Sequence, residues 1–352
     1  MSITKKLITW YSKNKRDLHW RETTDPFKIW LSEIIMQQTR IEQGTSYYLK
    51  FVDEFASVEE LAMAPEDKIM RMWQGLGYYS RARNLHAAAR KIKNQYEGQF
   101  PVSYKELIKL KGVGDYTAAA IASITNNEAV PAVDGNVKRV IARLFDIRDD
   151  ISTAKTYSTI KNISAQLITK DDPGTFNQAL MDFGALLCTP KNPKCTDCPL
   201  SEHCLAMQSG MVQELPVKYN RTKKKYRYFN FLVLELKNGK QDFFYILQRT
   251  EKDIWNRLFQ FPLIESEQLL KENALIKELS KRIPDAEAGE LTISRQYKHL
   301  LSHQIIFAQF IRIRLKNEPQ KIPSQWIKIP KHKIVDYGIP RLIDQYLKTE
   351  YF

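Results

Sequence analysis

The 352-residue chain has little that would place it in a membrane or outside a cell. No stretch approaches the roughly 18 apolar residues of a spanning helix. Met1 to Trp10 shows neither a long apolar run nor a small-residue cleavage site, so no secretory leader is expected. Internal repeats and low-complexity tracts are absent, which excludes solenoids and arrays. Cysteine is scarce. The four residues Cys188, Cys195, Cys198 and Cys204 all fall within one short stretch. That is too local for a disulfide framework, and in a reducing compartment it suggests a metal site. A soluble, cytoplasmic protein is expected.

What is present is a surplus of positive charge. Lys and Arg number 54 against 40 Asp and Glu, a net +14. Such a surplus attracts polyanions, nucleic acid above all. It is uneven. Residues 1–215 carry 28 cations against 25 anions, and residues 216–352 carry 26 against 15. The length favours two domains. Up to about residue 205 apolar residues recur at helical spacing, as in Phe27–Ile35 and Ala118–Ile124, between frequent Pro and Gly stops. After Gly210 the texture changes. Lys218–Lys225 reads as a basic linker. Phe229–Leu236 and Phe243–Gln248 read as strands about an Asn238–Gly239 turn, 266–282 as a helix, and Ile305–Leu315 as an alternating strand. The expectation is an all-α domain over 1–215, a linker over 216–227 and an α+β domain over 228–352.

Five stretches carry chemistry. The cysteines run C-x6-C-x2-C-x5-C. Four thiolates so spaced can enclose one small tetrahedral object, and spacing alone does not separate zinc from an iron–sulfur cluster. Leu110-Lys-Gly-Val-Gly-Asp-Tyr-Thr-Ala118 joins an apolar lead-in, a tight turn at Gly112 and Gly114, and a small-residue helix. This is a helix–hairpin–helix, whose turn amides hold a DNA phosphate without reading sequence. Asp134, opening Asp-Gly-Asn136-Val-Lys138-Arg, is placed to cap a helix, which is ordinarily all an aspartate does there. Glu33 sits among Trp30, Ile34 and Met36. It lies on a solvated face, or it is buried and becomes a general acid near neutral pH. Gln74-Gly-Leu-Gly-Tyr-Tyr78–79-Ser-Arg sets aromatics beside glycines and arginines, which suits insertion into a base stack or simply a packed turn.

Together and in this order, these stretches resemble the MutY family of adenine glycosylases in the helix–hairpin–helix, endonuclease III-like superfamily. The first 210 residues match by several specific motifs and the remainder loosely. The resemblance implies a [4Fe–4S] cluster on Cys188, Cys195, Cys198 and Cys204. It implies that Glu33 protonates adenine N7 and that Asp134 stabilises the oxocarbenium-like sugar, with Tyr116 and Asn136 supporting them. Two carboxylates, one protonated and one charged, suit this chemistry. Leu18, Trp20, Arg21 and Gln178 would surround the extruded adenine, and Gln38 and Tyr78 would enter the stack at the lesion. Gly112, Gly114 and Lys138 would contact DNA.

Endonuclease III-like relatives carry a lysine where this chain has Tyr116. The resemblance therefore implies a monofunctional enzyme that leaves an abasic site, with Lys138 as an incidental trap for an opened sugar. The second domain resembles a Nudix-like recognition domain through Trp255-Asn-Arg-Leu-Phe-Gln-Phe-Pro262. Residues 263–290 lack the glutamate-rich helix of a working Nudix hydrolase, so no such activity is expected. Leu301-Ser302-His303 matches a Phe-Ser-His loop that senses 8-oxoguanine. Leu301 there lacks the ring, and His19 stands where relatives usually have proline.

The implied function is excision of adenine opposite 8-oxoguanine or G in duplex DNA, by a monomer without membrane association, found at the nucleoid in a bacterium. The competing readings are an endonuclease III-like lyase on oxidised pyrimidines, a non-catalytic lesion-scanning protein and a zinc-dependent structural protein. Tyr116 argues against the lyase. Intact Glu33 and Asp134 argue against the scanning protein.

Overall fold

The computed structural model describes residues 2–219, 224–239 and 241–351. The chain divides into two compact units, Met1–Ala64 with Arg83–Asn220, and Pro65–Ala82 with Arg221–Phe352. Two features differ from the expected 1–215, 216–227 and 228–352. The segment Pro65–Ala82 groups with the second unit. The first strand also starts at Lys225, inside the expected linker, because Lys225–Tyr228 pairs in parallel with Gln304–Phe307. Residues 220–223 of that linker lie outside the described residues.

Helices dominate up to Gln208. They are α1 (Ile3–Asn14), α2 (Pro26–Met36), α3 (Ile41–Glu54), α4 (Val58–Met63), α5 (Glu66–Met72), α6 (Ser80–Gln95), α7 (Tyr104–Leu107), α8 (Asp115–Thr125), α9 (Gly135–Leu144), α10 (Ala154–Leu167), α11 (Pro173–Leu186) and α12 (Leu205–Gln208). The starts are chemically marked. Asp25 caps α2 by accepting from the Phe27 N–H, with Pro26 in the first turn. Asp172 and Pro173 do the same for α11. A capping side chain supplies an acceptor for an otherwise unpaired N–H, worth about 1 kcal/mol. Helices α1, α9, α10 and α11 share one core of Leu7, Val137, Val140, Ile141, Ile160, Phe176 and Phe183. Helices α9 and α11 approach closely at Gly184, where a Cβ would meet the Asn136 Cβ at 2.7 Å.

The second unit is built on a sheet of β1 (Lys225–Asn238), β2 (Gln241–Gln248), β3 (Phe259–Gln260), β4 (Leu263–Ser266), β5 (Ala288–Ile293), β6 (Tyr297–Leu300), β7 (Gln304–Leu315) and β8 (Trp326–Pro330). The central path runs β3-β2-β1-β7-β5, with β4 on β1, β6 on β7 and β8 on β2. Strand β1 is covered on both faces, so Phe229–Leu236 is buried without a break, Asn230 and Glu235 included, and shows no alternation. Leu232, Leu234 and Leu236 pack with Leu275, Leu279 and Ile283 from α13 (Glu272–Arg282) and its end. On the other face Phe310 stacks on Tyr346 of α14 (Arg341–Glu350) at 3.8 Å. The helix expected over 266–282 starts only at Glu272. Residues 263–266, of which only Ser266 falls in that expected helix, pair with β1 as a strand.

Candidate active site

Five separate pieces of the first unit converge on a cavity of about 210 Å³. Helix α2 buries Phe27, Trp30, Leu31, Ile34 and Ile35 in the core. Its remaining stripe, Ile29, Ser32, Glu33 and Met36, lines the cavity. Helix α8 contributes Tyr116 from its first turn. The start of α9 contributes Asp134 and Asn136. The segment before α2 contributes Arg16, Leu18, Trp20 and Arg21, and α11 contributes Gln178 and Met181. Of the residues singled out from sequence, Glu33, Tyr116, Asp134, Asn136, Leu18, Trp20, Arg21 and Gln178 therefore share one cavity.

Two carboxylates stand there in unlike surroundings. Burial lifts the Glu33 carboxyl to about 7, and the nearby Asp134 charge adds to the effect. A hydrogen bond from Tyr116 and the Arg21 charge oppose the rise. Near neutrality Glu33 thus holds a proton in a substantial fraction of molecules. Asp134 is also raised by burial, but donors converge on it. Its Oδ1 accepts from the Val137 N–H at 2.7 Å and its Oδ2 from Asn136 Nδ2 at 2.8 Å. Asp134 is the N-cap of α9, as its place before that helix suggested. The cap role and a site role coincide, because the carboxylate also faces the cavity. The Tyr116 hydroxyl also lies 3.2 Å from Met181 Sδ, and burial beside Glu33 and Asp134 holds its phenol well above its ordinary range.

Sequence reasoning missed three residues that hold this cavity together. Asp182 is fully buried and accepts from Arg16 Nε at 2.8 Å and from Arg21 Nη1 at 2.7 Å. Burial pushes its carboxyl up, yet the two guanidinium groups hold it below its ordinary value. Asp182 thereby fixes two cations at the wall beside Glu33. Arg139, also buried, donates to Asn136 Oδ1 and to the carbonyls of Gly184 and Cys188. No local pattern announces these partners, which lie up to 166 positions apart. Lys138 does not line the cavity. Its ammonium donates to the Ile151 carbonyl at 3.4 Å and lies over the Tyr157 ring.

The hairpin turn lies between α7 and α8. Gly112 has φ +84°, and a Cβ there would meet the Asn84 Cβ at 2.7 Å. Both facts demand glycine. Gly114 is the N-cap of α8 and brings no side chain to it. Gln38 and Tyr78 are exposed and both occupy the left-handed region, at φ 56° and 47°. Such strain in non-glycine residues collects at functional sites. Within the second unit, the Tyr78 hydroxyl is hydrogen-bonded to Ser302 Oγ. Leu301, Ser302 and His303 form the tight β6–β7 turn, closed by Leu301 N–H to the Gln304 carbonyl at 2.9 Å. His19 is exposed and opens a 3₁₀ turn with Trp20 and Arg21, and Trp20 packs edge-on against Tyr48 at 5.4 Å.

The four cysteine sulfurs line one apolar cavity with Val140, Leu144, Phe183 and Leu200. Burial pushes the Cys198 thiol up to about 11 and raises Cys195 and Cys204 as well. Four thiolates held together in such a place require cationic charge among them. The Arg143 guanidinium, buried 3.4 Å from Cys188 Sγ, supplies part of it. The donor set fits a multi-iron cluster bound by thiolates.

Comparison with known proteins places the chain in a family. Residues 31–166 match the model of the HhH-GPD superfamily base excision DNA repair proteins. Residues 188–204 match the iron-sulfur binding domain of endonuclease III, which decides the open choice between zinc and a cluster. Residues 232–349 match the NUDIX domain. The chain is 34% identical over 353 residues to an adenine DNA glycosylase of Buchnera aphidicola (subsp. Acyrthosiphon pisum), covering 97% of this chain and 96% of that one. It is 38% identical over 218 residues to the Homo sapiens adenine DNA glycosylase, covering 59% and 40%. Among solved structures, a thermostable thymine-DNA glycosylase superposes with a TM-score of 0.54 at 29% identity, over 58% of this chain and 95% of that one.

Proposed function

The chain belongs to the adenine DNA glycosylase family of the HhH-GPD superfamily, with a [4Fe–4S] cluster loop and a Nudix-like second domain, and from that premise we propose that it excises adenine paired with 8-oxoguanine or G. The observation that carries the chemistry is the pair of unlike carboxylates in one cavity. An extruded adenine enters between Trp20, Leu18 and Gln178, which repay part of the few kcal/mol of unstacking. Glu33, protonated near pH 7, gives its proton to N7. The bond between C1′ and N9 then breaks, and its electron pair leaves with the base. Positive charge develops on the sugar, where Asp134 is held ready by Val137 and Asn136. A water adds its oxygen to C1′ and loses a proton, with Glu33 as the base, leaving an abasic site.

Among the described residues, no lysine lines this cavity. Tyr116 stands where a lyase needs lysine, and Lys138 is engaged elsewhere. Cleavage of the strand is then a separate event that needs alkali. Cys188, Cys195, Cys198 and Cys204 hold the cluster, which supplies no redox step to a hydrolysis and secures the loop that anchors Arg139 and Arg143. Gln38, Tyr78 and Leu301–His303 read the lesion, and Gly112 and Gly114 grip the backbone. The working form is a monomer, associated with the nucleoid where the host is a bacterium.

The test of this reading is excision from duplexes that differ only in the base opposite adenine. Rates highest opposite 8-oxoguanine, lower opposite G and absent opposite T support it. Equal rates on all three contradict the lesion-reading part.

A further inference from the structure

Asp115 is an anion at an awkward place. It is the first residue of α8, directly after the Gly112–Gly114 turn that the reading above assigns to a DNA phosphate. A carboxylate there suits the helix dipole but repels the phosphate. Its own contacts answer the conflict. Lys161 Nζ lies 2.5 Å from Asp115 Oδ1. The hydroxyls of Tyr104 and Tyr157 donate to the same carboxylate, one to each oxygen. Burial alone would raise this carboxyl, yet the three donors hold it below its ordinary value. Tyr157 and Lys161 lie four apart on α10, and Tyr104 opens α7. The Lys161 ammonium also lies over the Tyr104 ring at 5.2 Å, and Lys138 over the Tyr157 ring at 4.9 Å. Two helices and one cation are therefore tied directly to one side chain, and a second cation lies over one of its tyrosine partners.

The next residue in the chain is Tyr116, which turns the other way, into the cavity beside Glu33. We propose that Asp115 is a positioning residue that braces the first turn of α8 against α7 and α10, so that the phosphate-gripping turn and the Tyr116 hydroxyl are held as one rigid piece. Its charge is consumed by the brace, and what the DNA meets is the ordered turn. The proposal rests on the DNA glycosylase reading and deepens it.

Two explanations of Asp115 predict opposite signs for one measurement. If the carboxylate is merely a surface charge, Asp115→Asn removes repulsion, frees Lys161 and tightens duplex binding. If it is the brace, the same change loosens the turn and weakens binding. The experiment uses the full cluster-loaded chain, with Asp115→Asn and the charge-neutral double variant Tyr104→Phe/Tyr157→Phe. Duplex affinity is measured over a salt series, and the single-turnover excision rate at saturating enzyme is corrected by active-site titration. The brace predicts about tenfold weaker binding for both variants, the size of a lost charge-assisted contact. It also predicts a lower rate per active molecule. Tighter binding by Asp115→Asn, or unchanged affinity and rate in the tyrosine double variant, overturns the proposal. The double variant still decides the matter if Asp115→Asn does not fold. If the wild-type chain excises no adenine, the glycosylase reading fails, and the affinity measurement still judges the brace by itself.

Discussion

Arg139 donates to the side-chain oxygen of Asn136 at 2.9 Å, and the Asn136 amide N–H in turn donates to Asp134. The other arm of the same guanidinium reaches the carbonyl of Cys188 at 2.8 Å, the first cysteine of the cluster loop. Two networks, the second reached 49 positions along the chain, thus meet on one buried cation. The orientation of Asp134 depends on a loop that contains no reacting group.

Arg139→Lys keeps the charge but cannot serve three acceptors in different directions. Excision is expected to fall roughly 10- to 100-fold, as when a group that orients a reactive one is lost. Visible absorbance of the cluster, measured beside single-turnover rates, checks the account. A normal rate with full cluster content contradicts it.

Glu33 sets a pH dependence with a definite sign. Its carboxyl sits near 7, above its ordinary 4.5, so the protonated form is lost as pH rises through 7. The rate is expected to fall about tenfold per pH unit above that point. The Tyr116 hydrogen bond holds Glu33 down. Tyr116→Phe should therefore move the falling limb to higher pH. A limb that moves to lower pH, or does not move, contradicts the assignment.

The same shift has a cost in stability. A carboxyl raised on folding contributes stability that is complete below its unfolded value and is lost as pH rises through its folded value. Between pH 5 and 8 wild type should lose on the order of 2–3 kcal/mol that Glu33→Gln retains. The variant is expected to be inactive yet more stable than wild type at pH 8, which denaturant titration at the two pH values measures.

Asp182 is a fully buried anion between Arg16 and Arg21. Asp182→Asn leaves two cations without their counterion, a change that costs about 3–5 kcal/mol. For a unit of this size the thermal midpoint should drop by roughly 10 °C. Calorimetry reads this directly, and an unchanged midpoint removes Asp182 from its role.

Leu301 lies in the β6–β7 turn beside Ser302, which is bonded to Tyr78. A ring at this position adds stacking worth about 1 kcal/mol. Leu301→Phe is expected to bind 8-oxoguanine:A duplexes about fivefold more tightly with little change for G:A. Equal effects on both duplexes would remove this turn from lesion reading.

What was legible in the sequence follows the distance over which each signal acts. The cysteines, the hairpin glycines and the Asp134 cap are written within a few residues each, and the structure places them as their spacing implies. Glu33 was visible as a carboxylate in apolar company, though only tertiary packing decides between a solvated face and the cavity. Asp182 and Arg139 were not visible. An aspartate in the middle of α11 and an arginine in α9 resemble any other, and their partners come from the far end of the chain or from another helix. The strand at Leu263–Ser266 was hidden for the same reason, since its apolar pattern is short and its pairing with β1 is non-local.

The central claim is that Glu33 and Asp134 hydrolyse the glycosidic bond of adenine without an amine nucleophile. End-labelled duplexes carrying 8-oxoguanine:A, treated with the enzyme and then with or without hot alkali, test it most directly. The account predicts cleavage at the adenine position only after alkali, and none with Glu33→Gln. Cleavage without alkali, or excision retained by Glu33→Gln, would contradict it.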